Sequence, residues 1–112
     1  MNKYRNTKTK VGDLVFDSKR EAARWSELLL LQRAKIISDL ERQVAIVLAP
    51  SVRLAGEKRA KPALRLIVDF AYVERGKLIF EDVKSPATIT TAFTIKRHIL
   101  KAFKGHDLRL TS

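Results

Sequence analysis

The sequence predicts an α+β (α/β) domain: a central mixed sheet of four to five strands flanked by two main helices. Three observations lead there. Apolar residues recur at helical spacing over residues 18–35 and again over 90–104, and runs of Val, Ile, Leu and Phe at 41–49, 64–73 and 78–84 read as strands. A chain of 112 residues with 46% hydrophobic content has room for a single core. No internal repeat and no low-complexity tract divides it.

Taken in order, residues 1–10 are polar and basic and predict a flexible arm, which leaves 11–112 as the one domain. Val11 to Phe16 predicts a short hairpin turning at Gly12-Asp13. Asp17-Ser18 followed by Glu21 has the spacing of a capping box, so a helix is expected from Ser18 to Lys35, turning Ala22, Trp25, Leu28, Leu29 and Leu31 toward a core. Glu41 to Ala49 reads as a strand stopped by Pro50, and the Gly, Lys, Arg and Ala of 51–62 as a loop. Leu64 to Val73 and Leu78 to Lys84 are strands joined by Glu74-Arg75-Gly76-Lys77. Ser85-Pro86 ends the second of them, Thr90 to Lys104 is a helix closed by Gly105, and Leu108 to Leu110 forms a last strand.

Charge narrows the function. Twenty-three Lys and Arg against twelve Asp and Glu leave a net +11, spread over 3–10, 53–61 and 96–104, as on a surface that tracks phosphates. The natural partner is DNA, with the basic arm ordering on it. An RNA binder would show exposed aromatic residues interleaved with the basic ones, a pattern missing here. Without cysteine there are no disulfides, thiolate metal sites or cysteine nucleophiles. No apolar run approaches the ~20 residues of a membrane span, and the N-terminus lacks the apolar segment of a signal peptide, so a cytoplasmic protein without membrane contact is expected.

The strands carry the chemistry. Alternation puts Asp82 and Lys84 on one side of their strand, with Glu81 and Val83 on the other. A two-residue or a four-residue turn alike pairs Val73 with Leu78 and sets Asp69 opposite Asp82. Opposed carboxylates lie ~5 Å apart at Cβ and repel, and a divalent cation such as Mg²⁺ offsets that repulsion. Ile67 and Ala71, two residues to either side, are expected to surround Asp69 with apolar surface on its own face. Lys84, about 7 Å beyond Asp82, is placed to orient a water or stabilise charge on a phosphate. Glu21 shares a helix face with Trp25, Leu28 and Gln32; its spacing serves equally a helix cap or a third carboxylate aimed at the sheet.

Glu21 on the first helix, Val68-Asp69, a hairpin and Asp82-Val83-Lys84 together resemble the PD-(D/E)xK nuclease superfamily. Within it, Phe16-Asp17-Ser18-Lys19-x-Glu21 and Glu81-Asp82-Val83-Lys84-Ser85 are similar to segments of small phage and prophage proteins related to Holliday-junction resolvases, over residues 11–104. The family's Pro before the first Asp is Val68 here. The resemblance implies a restriction-endonuclease-like core and hydrolysis of DNA phosphodiesters, on branched or recombination-intermediate DNA. It implies Mg²⁺ or Mn²⁺ held by Asp69, Asp82 and Glu21, with Lys84 positioning water, no small-molecule cofactor, a homodimer, and a bacterial or phage-infected host cell as the setting.

Lys58, Arg59 and Lys61 in the 51–62 loop, Ser85 after the strand, and Lys96, Arg97 and Lys101 on the second helix are the candidate phosphate contacts. For the helix residues a solvated basic face fits as well, and Ser85 and Thr88 fit a cap. Gln43 reads as an exposed strand residue that is also within reach of the site; His98 and His106 lack metal-ligand spacing, and Trp25 and Phe70 fall in apolar patterns as core. The competing function is a non-catalytic basic DNA-binding protein, which has no reason to oppose Asp69 and Asp82.

Overall fold

A computed structural model describes residues 8–112, and it is α+β: two helices, a mixed four-stranded sheet and a small two-stranded one. Strands β1 (Thr9–Val11) and β2 (Leu14–Phe16) pair antiparallel around the Gly12-Asp13 turn. Thr9 and Lys10 therefore belong to a strand and not to the arm; of the rest, Lys8 is exposed and 1–7 lie outside the described residues. Helix α1 runs Lys19–Arg33; Ser18 caps it, its Oγ accepting from the Glu21 N–H at 3.1 Å. Strands β3 (Ile37–Ala49), β4 (Leu64–Glu74) and β5 (Lys77–Val83), helix α2 (Thr91–Lys104) and strand β6 (Leu108–Thr111) complete the fold. The sheet order is β3-β4-β5-β6, with β6 parallel to β5 and the other pairs antiparallel.

The β4–β5 hairpin turns on two residues, Arg75 and Gly76, both at positive φ (54° and 74°), the conformation of the tight turn that follows the twist of its strands. Val73 pairs Leu78 and Phe70 pairs Glu81, the register expected from the turn length. Thr90 caps α2 by accepting from Phe93 N–H at 3.1 Å, and Gly105, left-handed at φ 72°, ends it. Ser85 and Thr88 form a reciprocal capping box around a single 3₁₀ turn, Pro86–Thr88.

One cluster packs beneath α1, with Leu28, Ile37, Phe70 and Tyr72 buried against Trp25 and Val83; Trp25 stacks on Phe70 at 5.9 Å. The other packs beneath α2, with Leu48, Leu66, Val68, Ala71, Phe80, Phe93, Leu100 and Leu108. Fully burying a side chain such as Leu28 or Leu100 contributes on the order of 2 kcal/mol.

Side chains in a regular strand alternate faces, so Val68 and Phe70 ought to share one. They do not: Val68 packs on the α2 side and Phe70 on the α1 side, so the pleat of β4 reverses at Asp69. The neighbouring strand reverses at the same level. Arg42 lies over the Phe16 ring at 4.4 Å while Val44 packs with the α2 cluster, and the residue between them, Gln43, has a left-handed φ of 54°. The reversal overturns one expectation: Ile67, meant to shield Asp69, is 58% exposed, and of the two presumed neighbours only Ala71 is buried. The strand expected from Glu41 begins at Ile37, since a register shift between Ser38 and Glu41, with Asp39 at φ 54°, interrupts its period; the Gln32 side chain holds that irregular stretch by accepting from Leu40 N–H at 2.9 Å.

Candidate functional site

The ladder between β4 and β5 stops after Phe70↔Glu81. Beyond it, β4 stays with β3 (Val44↔Val68) and β5 stays with β6 (Asp82↔Leu110, Val83↔Thr111), so the sheet forks between its two central strands. The backbone donors exposed at the fork are taken by carboxylates. Asp69 N–H donates to Asp82 Oδ1 at 2.7 Å, and Val83 N–H donates to Asp69 Oδ2 at 2.8 Å. Each acid thus has one oxygen pinned to the opposite strand by a backbone N–H.

Lys84 Nζ stands 4.0 Å from Asp82 Oδ2 and 4.6 Å from the centroid of the Phe93 ring, which keeps the ammonium on the α2 side with Asp82. Glu21 comes from the first turn of α1 and is buried. Its backbone N–H serves the Ser18 cap, but its carboxylate is turned to the sheet and accepts from Gln43 Nε2 at 3.1 Å. The cap and the inward carboxylate thus coexist on one residue.

The three acids repel one another. Burial, then the charges of Asp69 and Asp17, raise Glu21 to about 7 against the opposing pull of Arg42 and Gln43. Burial, then Asp69, raise Asp82 to about 7, with Glu21 adding to the rise and Lys84 opposing it. Asp69 is also raised, chiefly by burial, against the opposing pull of the Val83 N–H and Lys84. Near neutral pH the cluster therefore retains protons that isolated carboxylates would have released.

The donor set suits a hard divalent cation: carboxylates that are buried at Glu21 and Asp82 and half-buried at Asp69, two of the three oriented by backbone N–H, with excess negative charge that a cation would neutralise in place of the retained proton. Glu21 lies close enough to shift Asp82, yet among the described residues no His, Cys, Asp or Glu trio closes to metal-holding distance. A cavity of about 320 Å³ adjoins Asp82 and Lys84 on the α2 side, bounded by Arg65 and Ile67 of β4 and Thr90 and Lys96 of α2.

The expected phosphate contacts separate. Lys96 borders this cavity and Ser85 borders a smaller one beside Lys84. Arg97 instead donates to the Leu108 carbonyl at 3.3 Å, Lys101 pairs with Asp107 at 3.0 Å and Lys61 with Glu57 at 3.1 Å, while Lys58 and Arg59 are exposed in the 51–62 loop, whose Val52 and Lys61 bridge. His98 is exposed and His106 sits edge-on to Phe80 at 5.1 Å.

Sequence reasoning missed two contributors. Asp17, one residue before the cap, raises both Glu21 and Asp69; its place beside Ser18 was the available signal. Arg65 lines the cavity from β4, four residues before Asp69, and strand alternation was the available signal.

Behind the fork, Glu81 is fully buried on the α1 side. Arg24 grips it through Nε at 2.6 Å and Nη2 at 3.0 Å, Tyr72 donates its hydroxyl at 2.5 Å, and Thr111 Oγ1 donates at 3.2 Å. Burial pushes this acid up, but the Arg24 and Tyr72 bonds outweigh it and hold Glu81 below its ordinary range. Two acids adjacent in sequence, Glu81 and Asp82, are thus shifted in opposite directions by the environments on the two faces of β5.

An antiparallel hairpin forked at paired acids, with a lysine beside them, defines a carboxylate-and-lysine site on an α+β scaffold. The chain belongs to the family described as Protein of unknown function (DUF1064), which matches residues 1–112. Searches of curated proteins and of solved structures return no match.

Proposed function

We propose that this protein is a metal-dependent DNA endonuclease of the PD-(D/E)xK kind, hydrolysing phosphodiester bonds with Mg²⁺ or Mn²⁺ and working in the cytoplasm. The observation that carries the reading is the fork: Asp69 and Asp82 pinned across it by 2.7 and 2.8 Å bonds, with Lys84 4.0 Å from Asp82. A structural ion pair would not raise the acids in this way, and a protein binding DNA by charge alone gains nothing from burying acid beside the phosphate.

In this reading Asp69 and Asp82 hold the cation and Glu21 faces it from α1. An ion held there would supply Lewis-acid stabilisation of the phosphate and lower the pKa of a nearby water. Lys84 orients that water or balances charge developing on the phosphate oxygens, its ammonium kept in place by Phe93. Gln43 holds the Glu21 carboxylate toward the sheet. The surplus of 11 positive charges draws the polyanion in. Branched DNA as the preferred substrate and a homodimer as the working form belong to the same proposal and rest on the resemblance.

The test is cleavage of linear, flapped and four-way DNA with Mg²⁺, Mn²⁺ or chelator, run beside Asp82→Asn. Metal-dependent nicking lost in the variant is the expected result. Binding without cleavage of any substrate by the wild-type protein would leave the non-catalytic DNA binder instead.

A further inference from the structure

Two cavities meet at Lys84. One, of about 320 Å³, lies on the α2 side between Asp82 and the cations Arg65 and Lys96. The other, of about 130 Å³, continues past Val83 and Lys84 to Ser85, Ser18 and Arg20, at the start of α1. Lys84 borders both, so it stands on the wall between two basic clefts and not at the end of one.

Several surface cations are already engaged elsewhere. Arg24, Lys61, Lys101 and Arg109 are each tied to a carboxylate, at 2.6, 3.1, 3.0 and 3.2 Å, and Arg97 to a carbonyl. Arg20 and Arg65 are exposed and form no ion pair among the described residues; what distinguishes them is position, Arg20 lining the smaller cleft and Arg65 the larger. A strand of nucleic acid crossing the fork presents phosphates before and after the one at the acids, and two clefts that share Lys84, one with Arg65 and Lys96 and the other with Arg20, suit that succession.

We propose that Arg20 and Arg65 seat the two backbone phosphates that flank the cleaved one, so that the cut strand of DNA runs from the Arg65 and Lys96 cleft past Asp82 and Lys84 into the Arg20 and Ser85 cleft. This rests on the nuclease reading for the identity of the central phosphate, but binding of the flanking phosphates requires no turnover.

Binding is therefore measured with chelator present, on a labelled linear duplex over a range of salt, for Asp82→Asn alone and with Arg20→Gln, Arg65→Gln or both added. Lys77→Gln, at the opposite end of β5, controls for bulk charge. Each phosphate contact contributes about 0.9 to the slope of log affinity against log salt. Each single arginine variant is expected to lower that slope by about 1 and the double by about 2, with Lys77→Gln unchanged and thermal melting preserved. Slopes unmoved by Arg20→Gln and Arg65→Gln, or an equal fall with Lys77→Gln, would overturn the proposal. Because no cleavage is measured, failure here is distinct from failure of the nuclease reading.

Discussion

Glu21→Gln should stabilise the metal-free protein at alkaline pH and leave it unchanged in acid. Burial, Asp69 and Asp17 raise the Glu21 carboxyl to about 7, whereas in the unfolded chain it titrates near the ordinary ~4.3. Between those values the folded state holds a proton that the unfolded state has released, so stability is fully present below about pH 4 and falls as pH rises through 7. At about 1.4 kcal/mol per pH unit, the rise from 4.5 to about 7 corresponds to a cost of about 3 kcal/mol at pH 8. Glutamine still offers Gln43 Nε2 a carbonyl acceptor and cannot ionise, so it removes that cost; relief of Asp69 and Asp82 acts in the same direction. For a domain of this size the gain is roughly 10 °C in Tm. Thermal melts of both proteins with chelator, from pH 4.5 to 8.5, should show curves that meet near pH 4.5, separate as pH rises toward 7 and keep a constant gap above it. A variant no more stable than wild type at pH 8, or a gap independent of pH, would refute the reasoning.

Three further outcomes follow from the geometry. Asp69→Asn and Asp82→Asn should each abolish metal-dependent cleavage while leaving DNA binding intact or tighter, as gel-shift and nicking assays on the same preparations would show. Lys84→Ala should lower kcat for cleavage by 10²-fold or more with metal affinity little changed, because Lys84 meets Asp82 only at 4.0 Å; cleavage rates across a metal titration separate the two. Arg24→Met should cost about 3–5 kcal/mol in urea unfolding at pH 7, since it leaves the Glu81 carboxylate buried and unpaired. As Glu81 is held below its ordinary range, the stability it contributes is present above about pH 4 and lost in acid, so the wild-type advantage over Arg24→Met should shrink as pH falls below 4.

The features that sequence made legible are those set by local rules. A two-residue turn fixes the register that opposes Asp69 to Asp82, a hydroxyl at Ser18 or Thr90 starts a helix, and Gly105 ends one. The alternation that puts Asp82 and Lys84 on one face and Glu81 on the other also holds through β5. What escaped depends on broken periods. The pleat reversal at Gln43 and Asp69 is not written in residue type, since a left-handed Gln gives no glycine signal, and for that reason Ile67 was misplaced. The first residues of β3 were lost to the shift at Asp39 in the same way. Whether Glu21 capped its helix or faced the sheet was undecidable from spacing because the cap needs only its backbone N–H.

The pairing of Asp69 and Asp82 makes sense chemically if a divalent ion displaces the proton they retain, and that exchange is directly measurable. Calorimetric titration of Mn²⁺ into the protein near pH 6.5, in buffers of different ionisation enthalpy, should show binding that releases protons and is lost in Asp82→Asn. Binding that releases none and persists in Asp69→Asn and Asp82→Asn alike would place the metal elsewhere and contradict the account.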